Sequence, residues 1–121
     1  MRLELVEADR PKNLGEKISE YLARPPQPIL RFCDYSSETA DSKRHILFAV
    51  RNGLPIPLLY GIYAEAKYNA MTDYISKTDH IGPFSVDNWR LSLDTTEPAQ
   101  VTLRVGLVPF EIMTDRVQLA V

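Results

Sequence analysis

The side chains with the clearest potential for chemistry are the thiol of Cys33 and the imidazoles of His45 and His80, with Asp79 directly before His80. A thiol attacks only as its thiolate, so Cys33 needs a neighbouring base or helix N-terminus to act as a nucleophile. Asp79 beside His80 is the pairing that orients a general base or offers a ligand pair. Zinc sites, however, need a second His or Cys at short spacing, and neither histidine has one. Cys33, His45, Asp79 and His80 therefore form a ligand pocket only if folding brings them together. The plainer readings are a buried small side chain for Cys33, the start of a strand for His45 and a polar loop for Asp79-His80.

Other catalytic signatures are missing from the sequence. Gly15, Gly53, Gly61, Gly82 and Gly106 are scattered, and none opens a phosphate-binding loop. No nucleophile elbow occurs. The reading assigns no catalytic residue, no metal and no cofactor, and leans away from an enzyme. A basic triplet, Lys43-Arg44-His45, lies near Tyr35 and leaves weak single-stranded RNA binding as an alternative. The aromatic-rich basic strand of RNA-recognition sheets is missing, and a solvated hairpin end accounts for the triplet equally well.

Tyrosines give a different signal. Tyr60, Tyr63, Tyr68 and Tyr74, with Met71, crowd one stretch of chain, and such residues are enriched at interface cores. Val117, Leu119 and Val121 alternate at the C-terminus, where a bare strand edge invites pairing with another chain. These eight residues are the candidate interface, and they point to self-association or a protein partner. Packing of the same side chains into the domain core is the competing account.

The elements that position these residues follow from periodicity. Residues 2–8 alternate as a strand. Residues 12–23 place Leu14, Ile18, Tyr21 and Leu22 on one helical face, ended by Pro25-Pro26. Residues 28–35 and 45–50 read as strands around a polar tip at 36–43. Asn52-Gly53 has the residues of a tight hairpin. Pro55 and Pro57, two apart, would remove donors from one edge and mark an edge segment. From 58 to 76, Leu59, Ile62, Tyr63, Ala66, Ala70 and Tyr74 fall on one stripe, which predicts the principal helix. Residues 84–93 form a strand with a bulge near Asp87-Asn88, 101–107 the clearest strand, and 110–113 and 117–121 further extended pieces. The expected fold is α+β: a mostly antiparallel sheet with two helices, in split βαβ (ferredoxin-like) order, with a C-terminal strand extension. A curved sheet wrapped on the 58–76 helix is the second arrangement.

Composition bounds the rest. The 121 residues fit one domain, 1–121, and 45% hydrophobic with 25% charged residues is an ordinary globular balance. Fourteen basic against sixteen acidic residues give a net charge of -2, spread without a basic field, which argues against a dedicated DNA binder. One cysteine needs no oxidising compartment. Glu4 and Glu7 interrupt any leader-like apolar region, and the uncharged stretch 52–64 is too short to span a bilayer, so a cytoplasmic protein is expected. The functional expectation is a non-enzymatic interaction or assembly module, self-associating, of the kind found among viral, phage or accessory proteins. The alternatives are a small enzyme or ligand-binding domain at Cys33/His45/His80, or the RNA binder.

Overall fold

The computed structural model describes residues 3–8, 29–109 and 112–121. They form β1 (Leu3–Ala8), β2 (Leu30–Ala40), β3 (Lys43–Asn52), β4 (Leu58–Tyr68), β5 (Met71–Ile81), β6 (Val86–Leu93), β7 (Gln100–Leu107) and β8 (Ile112–Ala120). The first sheet has the order β1-β6-β3-β2 and the second β5-β4-β7-β8, with every pairing antiparallel.

The α+β expectation is thus overturned: among the described residues the protein is all-β, and no helix occurs. The stretch expected as the principal helix is the β4–β5 hairpin, in register from Leu58↔Ile81 to Tyr68↔Met71. Asn69, at a φ of 52°, opens its two-residue turn. Tyr60, Ile62, Ala64 and Ala66 are buried, while the intervening Leu59 and Tyr63 are exposed. That is a period of two. The helical stripe arose because Ile62 and Ala66 satisfy both templates. The helix expected at 12–23 lies outside the described residues, and split βαβ order fails with the loss of the 58–76 helix.

Strands are also found where 28–35 and 45–50 were expected, but β2 and β3 run through most of the expected polar tip at 36–43 and leave only Asp41-Ser42 as the turn. Asp41 and Ser42, at φ of 54° and 59°, close the β2–β3 hairpin, since both central residues of a type I′ turn need positive φ. The expected bulge at Asp87-Asn88 does not occur, because β6 keeps continuous register with both neighbours. Bulges sit instead at Cys33/Ser36 in β2 and Val105/Gly106 in β7. Residues 114–116, left between the extended pieces expected at 110–113 and 117–121, lie within β8.

Asn52-Gly53 makes no hairpin. Asn52 ends β3 and organises the crossing to the other sheet. Its amide donates to the carbonyls of Ile56 (2.8 Å) and Gly82 (3.0 Å), and its Oδ1 accepts from Leu54 N–H (2.9 Å). Pro55 and Pro57 lie in this crossing rather than in an edge strand. A buried amide with its polar atoms engaged fixes a path without regular structure.

The core fills the space between the sheets. From β1, β2, β3 and β6 come Leu5, Phe32, Phe48 and Leu91, and from β4 and β7 come Tyr60, Ile62, Val101 and Leu103. Phe32 and Phe48 meet edge to face, with centroids 5.5 Å apart. Tyr60 ties the layers together. Its hydroxyl donates to Asp87 Oδ2 at 2.7 Å and accepts from Trp89 Nε1 at 2.9 Å.

Candidate functional site

The residues singled out for reactive chemistry do not converge on one cleft. Cys33 lies on β2, opposite Ala49, and His45 on β3, opposite Ser92. Asp79 and His80 lie on β5, in the other sheet. Burial, followed by the charge of Asp34, raises the Cys33 thiol pKa and outweighs the hydrogen bond and charge from Arg51. The thiol form is favoured, the opposite of what nucleophilic attack requires. His45 Nδ1 is hydrogen-bonded to Ser92 Oγ at 2.7 Å. The backbone N–H of His80 donates to Asp79 Oδ1 at 2.7 Å.

Folding does bring carboxylates together elsewhere. Glu7, Asp79 and Asp87, from β1, β5 and β6, place one oxygen each within 4.8 Å of one another. The cluster sits at the end of the Trp89–Tyr60–Asp87 chain of hydrogen bonds. Sequence gave no sign of it, because the three residues come from separate strands. Arg44, from the basic triplet, directs its guanidinium at the carbonyls of Thr96 (2.9 Å) and Glu97 (3.4 Å). Tyr35 lies on β2 and is 40% exposed.

The candidate interface residues divide sharply. Tyr60 is fully buried, and Tyr68, Val117, Leu119 and Val121 are half-buried against the core. Tyr63, Met71 and Tyr74 are exposed, Tyr74 at 73%. Tyr63 and Tyr74 belong to the outer face of β5-β4-β7-β8, where a depression of about 500 Å³ is lined by Tyr63, Glu65, Tyr74, Thr102, Arg104 and Met113 among others.

Strand pairing explains this shape. On the outer side Ser76, Tyr63, Arg104 and Arg116 lie in one rank across the four strands. The next rank is Thr78, Gly61, Gly106 and Met113. Gly61 and Gly106 are direct partners, so no side chain rises from the middle of that rank. A Cβ on Gly61 would come within 3.0 Å of the Tyr63 hydroxyl, which shows the phenol folded across it. A Cβ on Gly106 would come within 2.7 Å of the Ile112 carbonyl oxygen, so β8 approaches the β7 bulge too closely for any side chain. Glu65 meets Lys67 at 3.5 Å and Arg104 at 3.9 Å.

Met113, Arg104 and the glycine pair escaped sequence reasoning. Their shared face depends on pairing between strands far apart in the chain. The glycine pair was legible only as isolated glycines within apolar runs, a signal for close backbone approach.

Two antiparallel sheets enclosing one core define a β-sandwich. The order β2-β3-β6 facing β4-β7-β8 follows the plan of immunoglobulin-like sandwiches, with β1 added beside β6 and β5 beside β4. No family model matches the chain, and no curated protein matches it in sequence. Among solved structures it is similar to β-glucuronidase 2 of Bacteroides uniformis, at 9% identity and a TM-score of 0.55, over 77% of this chain and 14% of that one. It thus spans about a seventh of the enzyme's length, and the likeness is one of fold. CsgH of R. palustris is a second neighbour, at 10% identity and a TM-score of 0.48, over 75% of this chain and 91% of that one. Among the described residues no helix is long and apolar enough to cross a membrane.

Proposed function

We propose that this chain is a non-enzymatic interaction module whose contact surface is the outer face of β5-β4-β7-β8. The observation that carries this reading is the open depression of about 500 Å³ with Tyr63, Tyr74 and Met113 around it. Exposed aromatic and methionine side chains on a rigid sheet supply contact area at small entropic cost, and they are the residues that dominate binding energy at interfaces. The raised pKa of Cys33 and its separation from both histidines give a thiol-based pocket no support. The partner is a second copy of the chain or an unlike protein, and the test separates the two. A cytoplasmic setting belongs to the same proposal, supported by a single cysteine that calls for no oxidising compartment.

The test has two arms. Sedimentation velocity from micromolar to near-millimolar concentration reads self-association. Panning a random peptide library on the wild type and on Tyr63→Ser/Tyr74→Ser reads an unlike partner. Association or enrichment that disappears in the variant supports the reading. A strict monomer that enriches no peptide sinks it.

A further inference from the structure

We infer that the partner of this face is an acidic protein segment, whose carboxylates are taken by Arg104 and Arg116. The inference rests on the preceding reading of the face as a contact surface and adds the chemistry of what occupies it.

Arg104 and Arg116 are direct cross-strand partners on β7 and β8. Both point outward, because Leu103 and Val105 enter the core and Val117 packs against it. Side chains so paired have Cβ atoms roughly 5 Å apart, and like charges in that position repel. Two guanidinium groups placed this way repel each other, whereas a single carboxylate between them accepts from both in charge-assisted hydrogen bonds. Within the chain this pair is poorly neutralised. Glu65 reaches Arg104 only at 3.9 Å and also serves Lys67 at 3.5 Å. Among the described residues no carboxylate pairs with Arg116.

Charge around the depression points the same way. Outward positions of the four strands carry three cations, Lys67, Arg104 and Arg116, against one anion, Glu65, in a chain whose net charge is -2. A second copy packed face to face would set this cationic surface against itself, which complementarity disfavours. Tyr63, beside Arg104 on β4, and Tyr74, opposite Glu65 on β5, offer rings to an aromatic or aliphatic neighbour of the bound carboxylate. An extended peptide that alternates acidic and aromatic residues presents both features on one side, because its side chains repeat every second residue. Phosphates of a nucleic acid share the charge but not this pairing with apolar side chains, so the protein segment is the occupant the face favours.

The experiment uses the full chain and fluorescence anisotropy with labelled probes: a short peptide alternating Glu and Tyr, the same peptide with Gln for Glu, and an oligouridylate. The Glu-Tyr peptide is expected to bind, the Gln-Tyr peptide about tenfold or more weakly, and Arg116→Gln and Arg104→Gln each to lower affinity for the acidic peptide about tenfold. Added salt should weaken the acidic complex. Both arginines are on the surface, and circular dichroism confirms that the variants fold. Equal binding of the two peptides, unchanged in Arg116→Gln, overturns the inference and leaves the contact-surface reading standing. Dimerisation through this face with no peptide bound also overturns it, by making a second copy the occupant. Tighter binding of the oligouridylate overturns it in favour of phosphate. No binding and no dimer remove both readings together.

Discussion

The hydroxyl of Tyr60 in β4 donates to Asp87 Oδ2 in β6 across the interior of the sandwich, at 2.7 Å, and thereby joins the two sheets by a polar contact inside an apolar core. Trp89 Nε1 donates to the same hydroxyl at 2.9 Å, so this one oxygen satisfies a buried indole and engages a carboxylate. Tyr60→Phe keeps the ring and removes the oxygen. The indole N–H is then left unpaired, which costs about 1–3 kcal/mol. Urea denaturation should show a lower midpoint at unchanged slope.

Alkaline pH acts on the same contact. Burial first, then the hydrogen bond to Asp87 and its charge, raise the Tyr60 pKa far above the ordinary 10.0. Burial and Asp115 push Tyr35 to about 12, and Cys33 is raised above 9.0. Each group holds its proton more tightly when folded. The stability they contribute is therefore fully present below pH 9.0, and it declines as rising pH ionises them first in the unfolded chain. Denaturation midpoints should fall steadily above pH 10.0, and Tyr60→Phe should flatten that fall. A profile with the same slope in wild type and variant would show that Tyr60 is not the source.

The two glycines on the outer face should respond differently to alanine. At Gly106 the new Cβ meets the backbone oxygen of Ile112 at 2.7 Å, and β8 must move. Overpacking of this sort costs about 1–3 kcal/mol. At Gly61 the obstacle is the far end of the Tyr63 side chain, at 3.0 Å, which can rotate away. Gly61→Ala should change stability by less than about 1 kcal/mol. A thermal melt of the two variants beside wild type checks the contrast.

Asp115 reaches from β8 to the edge of the other sheet, where its Oδ2 accepts from the backbone N–H of Phe32 at 2.9 Å. Asp115→Ala leaves this edge donor without its partner. The loss is about 1.5–3 kcal/mol if the group stays dry, as for other hydrogen bonds to a charged acceptor. Hydrogen exchange read at the Phe32 amide should accelerate about tenfold or more, since ~1.4 kcal/mol is a factor of ten. Exchange unaltered at Phe32 would mean the contact does not protect the strand.

Cys33 should behave as a slow thiol. It is half-buried, and its raised pKa leaves little thiolate at neutral pH. Labelling by a disulfide reagent at pH 7 should run about tenfold or more below the rate of a free thiol, and denaturant should restore that rate. Fast labelling of the folded chain would reopen the case for a reactive site.

Much of the sheet structure was legible because alternation is a local signal. Leu3 and Leu5, or Val101, Leu103 and Val105, mark the inward side of their strands within a few residues. Leu58 to Ile81 was misread for an identifiable reason. Two long strands joined at Asn69-Ala70 keep their apolar residues close in sequence, and Leu59, Ile62, Tyr63 and Ala66 mimic a helical stripe. Gly61 and Asn69, poor helix residues at the places where a hairpin wants them, were the contrary evidence. Exposed aromatics were half legible. Composition identified Tyr63 and Tyr74 but could not separate them from Tyr60, because one shift of face decides which is buried. Arg104 beside Arg116, and Glu7 beside Asp79 and Asp87, were beyond local reading, since only long-range pairing creates those neighbours.

Among the described residues β1 pairs only with β6, in a register running from Leu3↔Leu93 to Ala8↔Asn88. β1 must therefore wait until Val86–Leu93 has been made before its pairing edge meets that partner. At roughly 5–20 residues per second of synthesis, that wait is on the order of ten seconds. Throughout it β1 stays available to whatever chaperone or neighbouring chain it meets.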